Sequence, residues 1–293
     1  MAPSTRRVVF ARINRRLPDQ DTLAMRSFAE DMAELAETHS TRFFEQTRDR
    51  PGRTWYAADM TIDPNGDFMT GTLGYSSREQ RRTFNERAWS WIKGEPHDVD
   101  AASHETVVPF ALDLRETKRW AAFAPTNRIR PKTFADGFTR VLNQAVAHAG
   151  LIPTEWEVDL VASRAHVNEW LQVHSLVYVL RRTIKFSNPG RHLDDDRQEM
   201  RALAARRMSE EFKSSTKGIL NISSQEFSNK LEGTETGDIE IYMRARGTHG
   251  AGDAIFRTTN SPDEGLIDDF AGDLMRGMEM VLAALRQYVA DKP

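Results

Sequence analysis

The sequence predicts an α+β fold in which a mostly antiparallel sheet is covered by helices on one side. Hairpins followed by helices dominate the order of elements, whereas a parallel α/β fold alternates single strands with helices. The 293 residues are 39% hydrophobic and 28% charged, which is typical of a globular protein with a real core. The order can be divided into two tandem ferredoxin-like units, residues 1–150 and 151–293, or taken as one merged domain.

The first hundred residues contain two strand signals and two helix signals. A short strand is predicted over residues 8–13, and apolar spacings of three and four predict a long helix over residues 19–46. The turn sequence Asp63–Gly66 lies between two alternating segments, which indicates a hairpin. Residues 78–92 have the charge and spacing of a helix.

Residues 106–149 form the most clearly patterned stretch, in the order strand, polar turn, strand, basic loop and amphipathic helix. Pro109 cannot donate a hydrogen bond to a neighbouring strand, so the first of these strands is expected at a sheet edge or with a bulge. Thr133 is expected to cap the helix, and Gly150 to end it.

The second half continues with strands, helices and another hairpin. The predicted elements are a strand at 155–162, a helix at 166–173, a strand at 176–186, a polar helix at 194–213 and a hairpin at 238–246 and 254–259. Ser261 and Glu264 have capping-box spacing, with Pro262 at the first helical position, which predicts a last helix from this point. Its apolar residues, from Ile267 to Tyr288, form a core-facing seam.

Composition excludes several functional classes. The chain has no cysteine, so disulfides, thiolate nucleophiles, zinc ribbons and iron–sulfur clusters are excluded. No apolar run is long enough for a transmembrane helix, and no apolar segment follows the N-terminal arginines, so a cytoplasmic location is expected. No catalytic motif is recognisable, and neither a cofactor nor a metal ion is expected.

The loop Gly247–Gly252 is the richest in glycine. A strand is predicted after it, so it is neither a P-loop nor a dinucleotide fingerprint, both of which open a helix. This loop and the element order resemble the tandem ferredoxin-like RNA-binding and RNA-processing proteins of CRISPR systems, which carry a glycine-rich loop in their C-terminal half. The resemblance implies RNA binding, and the alternative interpretation of the loop is a flexible hairpin tip. His249, between Arg246 and Asp253, is the histidine that we rank first for a metal or acid–base role.

Basic residues are concentrated in separate segments although the net charge is −3. Residues 115–140 carry seven basic side chains and two acidic ones, with Trp120, Phe123 and Phe134 among them. Arginine beside exposed aromatic rings is typical of single-strand nucleic-acid surfaces. The predicted nucleic-acid-binding residues are Arg12, Arg15, Arg16, Arg115, Lys118, Arg119, Arg128, Arg130, Lys132, Arg181, Arg182, Lys185, Arg246 and His249.

The leading hypothesis is therefore a non-catalytic nucleic-acid-binding protein of a bacterial system such as phage defence or RNA handling, with single-stranded RNA or DNA favoured. One alternative is an interaction or scaffold subunit that pairs with a partner or a second copy through residues 262–290. Another is a metal-dependent nuclease, because Glu155, Glu157 and Asp159 share one face of a predicted strand and two-metal cleavage needs convergent carboxylates.

Overall fold

The structure is a computed structural model. It describes residues 4–15, 27–37, 42–47, 50–85, 90–99, 106–148, 155–185, 194–203, 205, 207–215, 218–247 and 252–290. Arg16, His249 and most of the glycine-rich loop lie outside these residues, so what the sequence predicts for them stays a prediction.

The described strands pair antiparallel and follow one another in runs between the helices, and the α+β class is confirmed. The strands are β1 (Thr5–Arg15), β2 (Arg42–Thr47), β3 (Arg50–Ile62), β4 (Phe68–Asn85), β5 (Ser90–Val99), β6 (Val107–Asp113), β7 (Trp120–Phe123), β8 (Trp156–Leu160), β9 (Val177–Lys185), β10 (Arg207–Lys213), β11 (Ile239–Ala245), β12 (Ala254–Arg257) and β13 (Glu264–Asp268). The helices are α1 (Phe28–Glu37), α2 (Pro131–His148), α3 (Arg164–Val173), α4 (Asp194–Ala202), α5 (Gln225–Lys230) and α6 (Leu274–Ala290).

The strands form two sheets. The larger sheet has the order β13-β1-β7-β6-β4-β3-β2, with β5 paired to β4 and β8 paired to β1. The smaller sheet has the order β10-β9-β11-β12. Strands β8 and β13 follow residue 150 in the chain and yet pair with β1. These pairs join the two halves of the chain in one sheet. The division into two units at residue 150 stays a prediction.

Helices cover both faces of the larger sheet, which corrects the expectation that they lie on one side. Helices α1 and α2 enclose one apolar cluster, which includes Phe110, Phe134 and Trp156. Helix α6 covers the opposite face through Val281 and Leu285. The physical reason is that central strands such as β6 and β7 are apolar on both faces, so each face requires a cover.

The smaller sheet is covered on one face. Val167 of α3, Met200 of α4 and Phe227 of α5 pack against its buried residues, among them Met243 and Phe256. The other face carries charged and aromatic side chains. The candidate interface lies on this uncovered face.

Three predicted helices are wrong in part because long-range strand pairing replaces them. Of the helix predicted over residues 19–46, Phe28–Glu37 forms α1 and residues 42–46 belong to β2, while residues 19–26 and 38–41 lie outside the described part of the chain. Residues 78–92 belong mostly to β4 and β5, which pair with each other. Residues 207–213 form β10, which pairs with β9 along its length. Charged segments of this kind are compatible with either state until a partner strand is present.

The start of the last helix also differs from its prediction. Glu264–Asp268 is strand β13, paired with β1, and α6 begins at Leu274. The Oδ1 atom of Asp273 accepts a hydrogen bond from the Arg276 amide at 3.1 Å and so caps the helix. Helix α2 similarly begins at Pro131, so the predicted cap Thr133 lies inside its first turn.

The prediction that Pro109 lies at a sheet edge or a bulge is wrong, because β6 lies between β7 and β4 and pairs with both without a shift in register. Pro109 pairs with Thr72 on one side, and its carbonyl accepts a hydrogen bond from Ala124 just beyond the end of β7 on the other. Its missing N–H therefore faces the point at which the neighbouring strand ends. None of the described helices combines the length and hydropathy that crossing a membrane requires.

Candidate nucleic-acid interface

The structure does not bring the predicted basic residues together on one surface. A polar cluster next to β1 contains Arg12, Arg15, Arg119 and Lys185. The β6–β7 loop contains Arg115 and Lys118, and the segment at the start of α2 contains Arg128, Arg130 and Lys132. The smaller sheet carries Arg181, Arg182 and Arg246.

Lys185 is buried among carboxylates rather than presented to a ligand. Its Nζ atom lies 2.9 Å from Glu157 Oε1, 2.7 Å from Asp159 Oδ1 and 2.6 Å from Glu240 Oε1. Burial alone would lower the pKa of Lys185, but the three carboxylates outweigh it and raise the pKa above its ordinary value. Lys185 therefore links strand β9 of the smaller sheet to β8 of the larger one.

Arg119 is also buried, with 3% of its surface exposed. Burial lowers its pKa to about 10, although the Glu116 carboxylate opposes the shift. The positive charges of Arg12 and Arg15 lower it further. Arg15 is itself buried, with its guanidinium 4.7 Å from the centre of the Trp156 ring. Arg119 and Arg15 are enclosed next to β1, and a nucleic-acid strand cannot reach them without rearrangement. Arg12 is partly exposed, and its guanidinium donates to the Thr117 carbonyl at 3.3 Å.

Two more predicted residues are engaged by carboxylates. Arg115 is exposed, and its Nε atom donates to Asp113 Oδ1 at 2.8 Å. That hydrogen bond raises the pKa of Arg115. Arg182 is buried and donates to Glu210 and to Asp196, in each case at 3.0 Å. Lys118 lies partly buried in the same loop as Arg115.

The aromatic residues predicted beside the central basic segment are in the core. Trp120, Phe123 and Phe134 are each at most 4% exposed. Their rings pack between the larger sheet and its helices, so they are not available to nucleic-acid bases. Arg128, Arg130 and Lys132 near the start of α2 are exposed, and Lys132 pairs with Asp136 at 3.0 Å.

Arginine and tyrosine do meet on the uncovered face of the smaller sheet. The cross-strand register places Arg181 of β9 and Arg257 of β12 on either side of Tyr242 of β11. The two guanidinium carbons lie 5.7 and 5.3 Å from the centre of the Tyr242 ring. Residues directly opposite one another across paired strands share a face. Tyr242 therefore lies between two exposed cations.

The next row of the same face continues this chemistry. Arg244 lies on β11, two residues beyond Tyr242, and therefore on the same face. Its guanidinium and that of Arg246 lie 5.7 and 5.6 Å from the Tyr178 ring. Tyr178 donates a hydrogen bond from its hydroxyl to Asp253 at 2.7 Å. We call this set the open face: Tyr178, Arg181, Tyr242, Arg244, Arg246 and Arg257.

Two carboxylates border the open face and pair with two of its arginines. Arg181 donates from its Nε atom to Glu211 at 3.0 Å, and Arg244 pairs with Asp253 at 2.7 Å. Contacts with Lys213 and Arg181 lower the pKa of Glu211. Arg257 is exposed and, within the part of the chain that the structure describes, has no carboxylate within ion-pair distance. It is thus the arginine of this face with its charge most directly available.

Two residues of the open face, Arg181 and Arg246, are among the nucleic-acid-binding residues predicted from the sequence. The other four, Tyr178, Tyr242, Arg244 and Arg257, are not. The available signal was the alternation along β11, in which Ile239, Ile241 and Met243 are buried and the residues between them are not. That pattern predicts a half-exposed strand. The register with β9 and β12, which is not encoded locally, is what brings the arginines to Tyr242.

The carboxylates of the nuclease alternative are tied to Lys185. Glu157 and Asp159 both bind its ammonium, and Asp159 also accepts a hydrogen bond from Asn14 at 2.8 Å. Among the described residues, no group of three or more acidic or histidine side chains is arranged to hold a metal ion. The nuclease hypothesis stays untested, and Glu157 and Asp159 have a structural role here.

The apolar seam of α6 packs within the chain. Met278, Val281, Leu285 and Val289 are buried, and they face the larger sheet. The proposed pairing surface at residues 262–290 therefore keeps little of its apolar side for a partner, although Met275 is 65% exposed. Partner binding through this helix stays a prediction.

Comparison with known proteins adds no assignment. No protein-family model matches the chain, and no curated protein matches it significantly.

Proposed function

We propose that this protein binds single-stranded nucleic acid on the open face of the smaller sheet. The observation that carries the proposal is the position of Tyr242 between Arg181 and Arg257, on a face that no described helix covers. An accessible aromatic ring bordered by arginines supplies the two interactions that single strands use, base stacking and phosphate contact.

The sheet geometry supports a single strand over a duplex. Tyr242 and Tyr178 lie within the surface of the sheet and are partly buried, so they can stack on unpaired bases but cannot reach base edges inside a groove. Each stacked base contributes about 1–3 kcal/mol to binding. Two rings, each with its own arginines, favour contacts to at least two bases.

The arginines supply the electrostatic part of the affinity. Arg181 and Arg244 hold carboxylates in the free protein, and a phosphate can take the place of Glu211 or Asp253 without moving the backbone. Arg257 needs no such exchange. The proposed role in a bacterial defence or RNA-handling system, as a non-catalytic component, depends on this binding.

Fluorescence anisotropy with labelled single-stranded RNA, single-stranded DNA and duplex DNA tests the proposal. Tyr242→Ala is expected to weaken single-strand binding by about tenfold or more, since one stacked base is lost. Tyr242→Phe keeps the ring and is expected to retain most of the affinity. Tyr288→Phe serves as the control for Tyr242→Phe, because Tyr288 lies in α6 and its ring stacks on Phe10 of β1 in the larger sheet.

Circular dichroism and thermal unfolding of each variant separate lost binding from lost fold. The proposal is abandoned if the wild-type protein binds no single strand at low salt, or if Tyr242→Ala binds as tightly as Tyr242→Phe. Tighter binding of duplex than of single strands contradicts the stacking role of Tyr242.

A further inference from the structure

A cleft of about 930 Å³ lies where the start of β1 meets the N-terminus of α2 and helix α3. Small-molecule sites occupy roughly 300–1,000 Å³, so one small ligand fits. The lining includes Phe256, which precedes Arg257 in β12. Consecutive strand residues point to opposite faces, so the cleft and the open face lie on opposite sides of the smaller sheet.

The lining of the cleft includes groups suited to an anion. Arg130 lines it directly before Pro131, the first residue of the 18-residue helix α2, and Arg6 and Arg7 of β1 line it too. Arg130 is exposed and, in the described part of the chain, has no carboxylate within ion-pair distance. Its guanidinium and the helix dipole both favour a negative ligand group in the cleft.

Arg6 and Arg7 each pair with a carboxylate that a ligand can displace or with which it can share the arginine. Arg7 lies 3.3 Å from Glu264, with 65% of its side chain exposed. Arg6 contacts Asp269 at 2.8 Å and lies over the Phe270 ring, which fixes its position. An anion between Arg7 and Arg130 thus gains two guanidinium groups from different elements.

The lining also includes an aromatic side chain and several polar groups. Trp170 of α3 is partly exposed, and Phe256 supports its ring at a centroid distance of 5.6 Å. Asn127 and Asn260 offer amides, and Glu169 offers a carboxylate. These groups match an aromatic ring that carries both hydrogen-bond donors and acceptors.

We propose that this cleft binds a nucleoside phosphate. Arg130, Arg7 and the N-terminus of α2 hold the phosphate, Trp170 contacts the base, and Glu169 accepts from an amino or hydroxyl group of the ligand. This site is independent of the open face, and the inference does not rest on the proposed function.

Isothermal titration calorimetry of the full chain tests the inference, with nucleoside monophosphates and triphosphates, adenosine and inorganic phosphate as probes. At least one nucleotide is expected to bind saturably, and at least about tenfold more tightly than adenosine or inorganic phosphate alone. Arg130→Ala should weaken that nucleotide by about tenfold or more, since a charge-assisted hydrogen bond is lost.

Lys132→Ala is the matched control. It removes the same charge two residues further along, in the first turn of α2, but Lys132 pairs with Asp136 and does not line the cleft. The inference is overturned if no nucleotide binds saturably, if Arg130→Ala and Lys132→Ala weaken binding equally, or if inorganic phosphate binds as tightly as the nucleotide.

Discussion

The ammonium of Lys185 shows what single residues contribute to this fold. It is 7% exposed and contacts three carboxylates, two from β8 and one from β11. A cation in such a place holds two sheets together, and its removal leaves buried negative charge without compensation. The sequence indicates that Lys185 is basic, but only the tertiary structure shows that it is enclosed.

Lys185→Met is therefore expected to lower the free energy of unfolding by about 3–5 kcal/mol. Urea denaturation followed by circular dichroism measures this change. Lys213→Met is the control, because Lys213 is exposed and pairs with Glu211 at the surface. Its cost should stay within about 1 kcal/mol. Equal losses in the two variants would refute the structural role of Lys185.

Glu210 gives the fold a dependence on acidic pH. Partial burial would raise its pKa, but hydrogen bonds from Lys230 and Arg182 lower the pKa below its ordinary value of 4.5. A carboxyl with a lowered pKa stabilises the folded state above its unfolded pKa, and this contribution is lost as the pH falls below that value.

Glu210→Gln should accordingly lower the urea midpoint at pH 7, and the difference from wild type should shrink as the pH falls below about 4.5. Parallel urea titrations at pH 7 and pH 3.5 measure both midpoints. A difference that is constant, or that widens in acid, would show that the ion pairs of Glu210 do not stabilise the folded state.

Helices and strands show where local pattern is sufficient and where it is not. The hairpin at Asp63–Asp67 was predicted correctly, because the Asp63 carboxylate closes the turn by accepting from the amides of Asp67 and Phe68. The helix predicted over residues 78–92 was wrong, because β4 and β5 depend on each other rather than on local spacing. Local turn chemistry is present in the sequence, whereas the pairing of distant strands is not.

The two possible starts of the last helix can be separated by substitution. Asp273→Ala should destabilise the protein by about 1 kcal/mol, because the Arg276 amide loses its cap. Ser261→Ala, at the capping position predicted from sequence, should cost less than about 0.5 kcal/mol. Thermal unfolding compares the two variants. A larger loss for Ser261→Ala would contradict the observed helix start.

Gly137 in α2 provides a test of packing against helix propensity. Alanine at a helix interior is usually favoured over glycine by about 1 kcal/mol. A Cβ atom at position 137, however, would lie 2.7 Å from the ring of Trp55, which is 2% exposed. Overpacking of a core costs about 1–3 kcal/mol.

Gly137→Ala should therefore destabilise the protein by about 1–2 kcal/mol, since the clash outweighs the gain in propensity. Urea denaturation with near-UV circular dichroism records both stability and the environment of Trp55. A more stable variant would show that the α2–β3 contact is looser than the structure indicates.

At the scale of the whole molecule, charge in the sequence is a poor guide to charge at the surface. The basic segment at residues 115–140 is divided between the core, a loop and the start of α2. The open face instead combines β9, β11 and β12, whose arginines are distant in the sequence. The function class could be suggested from arginine and aromatic content, but the interface could not be located before the strand register was known.

The salt dependence of single-strand affinity tests the central claim most directly. For a single strand, log K falls with log salt by about 0.7 per phosphate contact, so the arginines of the open face predict a slope of about −2 to −3. Arg257→Ala should reduce the magnitude of that slope by about 0.7. Arg276→Ala, an equal loss of charge from the exposed side of α6, should leave it unchanged. Absent binding at low salt, or the same change in slope for both variants, would contradict the account.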